Sequence, residues 1–197
     1  MLKLGLTGSI ATGKSTVLDI LAEQGIATFS SDAAVHELYA GEAVPLVDAL
    51  FPGVGASGTV DRAELSRRLL AEKPGKLREL EAVVHPLVRQ RITKFLDESA
   101  ASGAAIAVVD IPLLFEGGND WGLDGVIVTV VEEAEQRRRA LARPGMTLEK
   151  LDKILSRQMP QAEKIARADY VIDTSKSMEE TRKDVLALVR RLRTSVT

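Results

Sequence analysis

Apolar positions along this chain follow two rhythms. Five short runs, at residues 3–7, 26–30, 106–110, 126–131 and 170–173, are dense in Val, Ile, Leu and Tyr and bounded by Gly, Ser or Asp. Most are continuous rather than alternating, as strands buried on both faces of a parallel sheet should be. Between them the apolar residues recur every three or four positions. Val17, Leu18, Leu21 and Ala22 trace one helical face, and Gly25 stands where that helix should stop. Leu77, Leu80, Val84, Leu87, Val88, Ile92 and Phe95 trace a longer one, in which Pro86 is predicted to kink or break the helix. Strands alternating with helices predict an α/β, doubly wound parallel sheet of five strands, with ligands outside the C-terminal strand ends.

The spacing of the runs is uneven. About twenty residues separate the first two, but over seventy separate the second from the third. That gap is too long for one crossover helix. Residues 32–102 therefore read as a mostly helical insertion over the ligand site, with the Pro- and Gly-rich stretch at 52–58 as a flexible loop.

The first run leads directly into Gly8-Ser9-Ile10-Ala11-Thr12-Gly13-Lys14-Ser15, which fits G-x-x-x-x-G-K-[ST], the phosphate-binding loop. Inward-turned backbone N–H groups and a helix N-terminus answer the anionic oxygens of a nucleoside triphosphate. Lys14 is predicted to reach the β/γ-phosphates and the Ser15 hydroxyl to ligate Mg²⁺. Gly8, Ala11, Thr12, Gly13, Lys14, Ser15 and Thr16 form the expected triphosphate cradle. A strand before the motif and a helix after it argue against a chance match in a Gly-rich turn.

Asp32 follows the second strand run. A carboxylate at that strand end could orient and deprotonate an attacking hydroxyl, and it could equally cap the helix predicted over 33–38. The two roles are compatible. Asp110 ends the third run, either as a metal-side carboxylate or as a turn residue before Pro112. Arg137, Arg138, Arg139 and Arg143 crowd one segment, and Arg139 and Arg143, four apart, would share a helix face. Guanidinium groups from a mobile segment neutralise the charge of a transferring phosphoryl group. Surface charge is the competing reading, since Glu132, Glu133 and Glu135 open this helix and arginines close it. His36 and His85 are too far apart to form a metal motif.

Taken together, these residues resemble the dephospho-coenzyme A kinase family over essentially the whole chain. Beyond the loop and Asp32, the resemblance is carried by Gly58-Thr59-Val60-Asp61-Arg62-Ala63-Glu64-Leu65, by His85-Pro86, by Asp110-Ile111-Pro112-Leu113-Leu114-Phe115-Glu116, by Arg139-x-x-x-Arg143, and by Gln158 with Ala168-Asp169-Tyr170-Val171-Ile172. It implies a P-loop nucleotide-kinase-like core (1–31, 103–131 and 168–197), a helical acceptor domain (32–102) and a lid (132–167). It also implies ATP-dependent phosphorylation of the ribose 3′-hydroxyl of dephospho-CoA. In the matched roles Asp32 is the base, Lys14 and Arg139 stabilise transferred charge, and Arg143 sits near the ATP phosphates. His85, Pro112, Leu113 and Leu114 shape the acceptor cleft. Four residues depart from the family pattern: Ser30 for the first Asp of Asp-x-Asp, Ser9 and Ala11 for loop glycines, and Thr174 for an Asn.

Composition narrows the alternatives. The chain has 197 residues, 45% hydrophobic and 27% charged, with net charge −2. Nothing in that balance suggests a nucleic-acid or membrane partner. The absence of cysteine excludes disulfides, thiolate catalysis and zinc–thiolate sites and fits a cytoplasmic setting. The first strand follows Met1 with no room for a signal peptide, and the longest apolar stretch, 104–109, is far short of a membrane span. Two rival readings are a kinase for another small alcohol or nucleotide and a nucleotide-dependent switch. The long helical insertion argues against the first. The lack of Asn-Lys-x-Asp argues against a guanine-reading switch.

Overall fold

The computed structural model describes residues 1–71, 75–118 and 120–195. Its elements run β1 (Leu2–Gly8), α1 (Lys14–Glu23), β2 (Ala27–Ser30), α2 (Ser31–Leu38), α3 (Val44–Leu50), α4 (Arg62–Ala71), α5 (Gly75–Ala101), β3 (Ile106–Asp110), β4 (Gly125–Val130), α6 (Glu133–Leu141), α7 (Leu148–Leu155), α8 (Gln161–Ala166), β5 (Tyr170–Asp173) and α9 (Met178–Ser195). Every predicted strand run is a strand, within one residue at each end. The sheet has five strands in the order β2-β3-β1-β4-β5, and every pairing is parallel. β1 is central, so the strand order reverses beside it, and the loop that follows β1 opens at that switch point.

Two compact units divide the chain: Met1–Ser30 with Leu96 onward, and Ser31–Phe95. In the sheet unit, β3 is buried at every position, which is why Ile106-Ala107-Val108-Val109 reads as an unbroken apolar run. Val17 and Leu21 of α1 and Val185, Val189 and Leu192 of α9 pack with Leu4, Leu6, Val108 and Ile127 of the sheet. Each such side chain contributes about 1.5–3 kcal/mol on burial.

The helical unit has its own interior, in which Leu38, Val47, Phe51 and Val54 are almost fully buried. Three expectations are corrected here. α5 runs through Pro86 unbroken. Proline removes one N–H, but Val84, Val88 and Ile92 keep one face of the helix buried on either side of it. The 52–58 stretch is tied rather than slack: Asp48 Oδ1 accepts from the N–H groups of Gly53 (2.9 Å) and Gly55 (2.8 Å), and Val54 turns inward. Finally, β2 ends at Ser30 and α2 begins at Ser31, so Asp32 lies in a first helical turn instead of at a strand end or cap. The helix dipole favours its negative charge there.

Candidate active site

The phosphate loop is shaped by hydroxyls behind it. Thr12 Oγ1 and Thr129 Oγ1 are hydrogen-bonded at 2.7 Å, and Thr12 Oγ1 also donates to the Ser9 carbonyl at 2.9 Å. A Cβ on Gly8 would lie 2.2 Å from Thr129 Oγ1 and 2.5 Å from Thr12 Oγ1, so the strand can turn into the loop here only as glycine. Gly8→Ala is accordingly expected to lower stability by about 1–3 kcal/mol and to abolish triphosphate binding. Thermal melting and a fluorescent-nucleotide titration check both effects.

Gly13, at φ 77°, caps α1 and starts Lys14 into the helix. Ala11 also lies in the left-handed region, at φ 62°, which costs a residue with a Cβ about 1–2 kcal/mol. Its methyl is compensated by burial in a small apolar cluster with Ala140 and Leu151, flanked by Ile10, Met146 and Leu155. Two glutamines, one on α6 and one in the turn between α7 and α8, hold the adjacent peptide. The Ile10 N–H donates to Gln158 Oε1 at 2.9 Å, and Gln136 Nε2 donates to the Ile10 carbonyl at 2.8 Å.

Lys14 Nζ donates to Asp110 Oδ1. Asp110 ends β3 in register with Leu6 of β1 and Ser30 of β2, and it is 2% exposed. The lysine and a nearly dry carboxylate thus meet at the C-terminal edge of the three adjoining strands. Ser15, at the second position of α1, is exposed.

Glu132 caps α6, its carboxylate accepting from the N–H groups of Ala134 and Glu135. The arginines then sort themselves. Arg137 pairs with Glu133 and Asp152. Arg139 donates Nε to Glu135 Oε1 (2.7 Å), Nη1 to Thr174 Oγ1 (3.1 Å) and Nη2 to the Thr174 carbonyl (2.8 Å). Hydrogen bonds from Arg138 and Arg139 hold the Glu135 carboxyl down at about 2. Arg143 lies past the end of α6, which stops at Leu141, so the shared helix face expected for Arg139 and Arg143 is corrected. The turn still brings both to one cavity of about 370 Å³, lined also by Gly13, Thr16, Thr174 and Met178. Thr174 joins three parts of this wall. Its Oγ1 lies 3.0 Å from the Thr12 carbonyl and 3.2 Å from the Val130 carbonyl while accepting from Arg139.

The segment after Asp110 is mixed. The Pro112 carbonyl accepts from Thr7 Oγ1, and Leu113 is 43% exposed. Leu114, expected to face the acceptor, is buried over Gly5, where a Cβ would come within 3.1 Å of it, so it packs the core. Glu116 Oε1 accepts from the Met159 N–H (2.8 Å) and from Lys164 Nζ (2.7 Å), and Lys164 is fully buried. Burial alone would raise the Glu116 carboxyl. The Lys164 ammonium and the Met159 N–H outweigh it and hold the group below the usual carboxylate range. The pair's stabilisation is therefore complete above the ordinary Glu value, about 4.3, and is lost as pH falls through the lower folded value. Melting temperature is expected to drop steeply below about pH 4 in the wild-type chain and less steeply in Glu116→Gln. Lys164→Met, which strands the carboxylate, should cost about 3 kcal/mol at neutral pH in a denaturant titration.

In the helical unit, Asp32 and His85 are both exposed. Thr129, Gln136 and Lys164 were not foreseen. They are ordinary polar letters in strand or helix runs, and only the fold brings them to the loop and its flanking helices.

The sheet order and the position of the loop after the central strand define a P-loop phosphotransferase with the architecture of small-molecule and nucleotide kinases. The family model described as dephospho-CoA kinase matches residues 2–180, and the chain belongs to that family. A dephospho-CoA kinase of Rhizobium etli is 54% identical over 193 residues, covering 98% of this chain and 95% of the relative. The crystal structure of TT1252 from Thermus thermophilus superposes with a TM-score of 0.79 at 33% identity, covering 96% of each chain. A dephospho-CoA kinase from Campylobacter jejuni shares the fold, with a TM-score of 0.68 at 23% identity and 96% of each chain covered.

Proposed function

We propose that this chain transfers the γ-phosphoryl group of ATP to the ribose 3′-hydroxyl of dephospho-CoA, yielding ADP and CoA. The observation that carries the reading is the near full-length match at 54% identity to a dephospho-CoA kinase. The acceptor oxygen forms a bond to the γ-phosphorus as the bond from that phosphorus to the β,γ-bridging oxygen breaks, and ADP leaves with those electrons. Asp32 takes the hydroxyl proton. It is exposed, and its carboxylate makes no hydrogen bond or ion pair among the described residues, so it is available to an incoming donor.

Lys14 leaves Asp110 for the β/γ-phosphates, and the N–H groups before α1 hold the remaining oxygens. Arg143 joins the phosphates. Arg139, anchored by Glu135 and Thr174, forms one wall of the nucleotide cavity and adds positive charge beside the transferred group. Ser15 offers a hydroxyl and Asp110 a carboxylate, hard oxygen donors that suit Mg²⁺. Among the described residues no group of three or more His, Cys, Asp or Glu could by itself hold a metal ion. Ser15 and Asp110 would hold the ion, which would supply positive charge to offset that of the transferring phosphoryl group.

Residues 32–102 serve as the acceptor domain and 132–167 as the lid, on the rest of the chain as core. Leu113 and Pro112, with His85 on α5, are the acceptor-facing candidates. No helix among the described residues is long and apolar enough to cross a membrane, and the lack of cysteine suits work in the cytoplasm.

Product formation from Mg-ATP with a panel of dephospho-CoA, shikimate, gluconate, AMP and adenosine tests the reading. Turnover with dephospho-CoA alone, with CoA as product, is expected. Turnover on another acceptor with none on dephospho-CoA would overturn it.

A further inference from the structure

The arginines of the helical unit differ in what they are bonded to. Arg67 and Arg68 both pair with Glu64, and Arg68 also donates to the Pro52 carbonyl. Arg91 pairs with Glu42. Arg62 has no carboxylate partner among the described residues. Its Nη1 instead lies 3.5 Å from His36 Nδ1, and both side chains are exposed.

The position of Arg62 is built rather than incidental. The Val60 N–H donates to the Tyr39 carbonyl at 2.8 Å, drawing the chain before α4 onto the end of α2. Asp61 then accepts from the N–H groups of Ala63 and Glu64, both at 3.0 Å, and starts α4 with Arg62 as its first residue. Arg62 also acts on Tyr39, whose phenol is raised by burial and partly brought back by the guanidinium charge.

A guanidinium donating to Nδ1 leaves the imidazole proton on Nε2. The two side chains then present N–H donors only, with no acceptor and no countercharge between them. Donor-only clusters centred on an arginine suit phosphate oxygens. A merely solvated face would sooner resemble Arg67 and Arg68, which share the Glu64 carboxylate one turn away.

Asp32 fixes what that anion would be. It lies four residues before His36 on α2, so the two side chains share a helix face, about 6 Å apart. Dephospho-CoA carries its reacting 3′-hydroxyl and its pyrophosphate on the same ribose, the pyrophosphate through the 5′-carbon. A carboxylate and a donor pair one helical turn apart match those two groups in order.

We propose that Arg62 and His36 form the subsite for the acceptor's pyrophosphate, holding it one turn along α2 from Asp32. This rests on the reading of dephospho-CoA as acceptor and of Asp32 as the residue facing its hydroxyl. Losing a hydrogen bond to a charged group costs binding by about tenfold or more. Steady-state kinetics of Arg62→Gln and His36→Gln, with both substrates varied, test it.

The KM for dephospho-CoA is expected to rise about tenfold in Arg62→Gln and several-fold in His36→Gln, with the KM for ATP within about twofold of wild type. Arg62→Lys should recover part of the loss, because a point charge replaces a fork. An unchanged KM for dephospho-CoA in both variants, or a KM for ATP that rises in step with it, overturns the subsite. Melting temperatures identify a variant that does not fold. Should Arg62→Gln be one, His36→Gln, changed at an exposed site, decides the matter by the same comparison. A wild-type chain inert toward dephospho-CoA would instead overturn the acceptor reading itself, which these variants leave untouched.

Discussion

Asp32→Asn is expected to lower kcat by about a thousandfold while leaving ATP affinity within about twofold. The substitution keeps size and shape but removes the lone pair basicity that accepts a proton. Its structural cost should be small. Asp32 is an exposed residue in the first turn of α2. Neutralising it there forfeits a favourable charge–dipole interaction of about 0.3–1 kcal/mol. Single-turnover phosphorylation of dephospho-CoA, beside a nucleotide titration and a melting curve, separates the two contributions. Undiminished turnover would reduce Asp32 to a residue that helps start a helix.

Lys14→Met should be as damaging to catalysis and more damaging to the fold. The ammonium is expected to travel with the transferred charge, and losing a preorganised cation of this kind costs about 10²–10³-fold in kcat. The same nitrogen is bound to Asp110, which is 2% exposed. Removing one partner of such a pair leaves a poorly solvated carboxylate and costs about 3 kcal/mol. Lys14→Met with Asp110→Asn should therefore regain most of the stability and none of the activity. Denaturant titration and kinetics of the single and double variants read these effects independently. A double variant no more stable than Lys14→Met would show that the pair contributes little to the fold.

The strands were legible because most are unbroken apolar runs, and β3 is buried at all five positions, whereas the edge strands β2 and β5 are largely only half-buried. The loop was legible because its chemistry tolerates few letters. What the pattern concealed lies in two kinds of place. Helix ends depend on hydrogen bonds rather than periodicity, so α2 starts before Asp32 and α6 stops before Arg143. Pro86 illustrates the opposite case, in which side-chain burial overrides a local breaker. The supporting shell was hidden because its members are distant in sequence. Thr129 reaches Thr12 across 117 residues, Gln158 reaches Ile10 across 148, and Thr174 reaches Thr12 across 162. Lys164 reads as one more charge in a polar helix and proves to be fully buried on Glu116.

The placement of β1 has a consequence for how the chain folds. Leu2 is in register with Ile106 and Leu4 with Gly125, so the strand made first has both of its neighbours more than a hundred residues away. At ribosomal speeds of about 5–20 residues per second, β1 waits roughly 5–20 s for a partner. In that interval its apolar backbone is an unpaired strand, open to the wrong neighbour. The helical unit between β2 and β3 is complete in sequence before either partner of β1 emerges. The nucleotide loop, whose shape depends on Thr129 and Thr174, is among the last features of the chain to assemble.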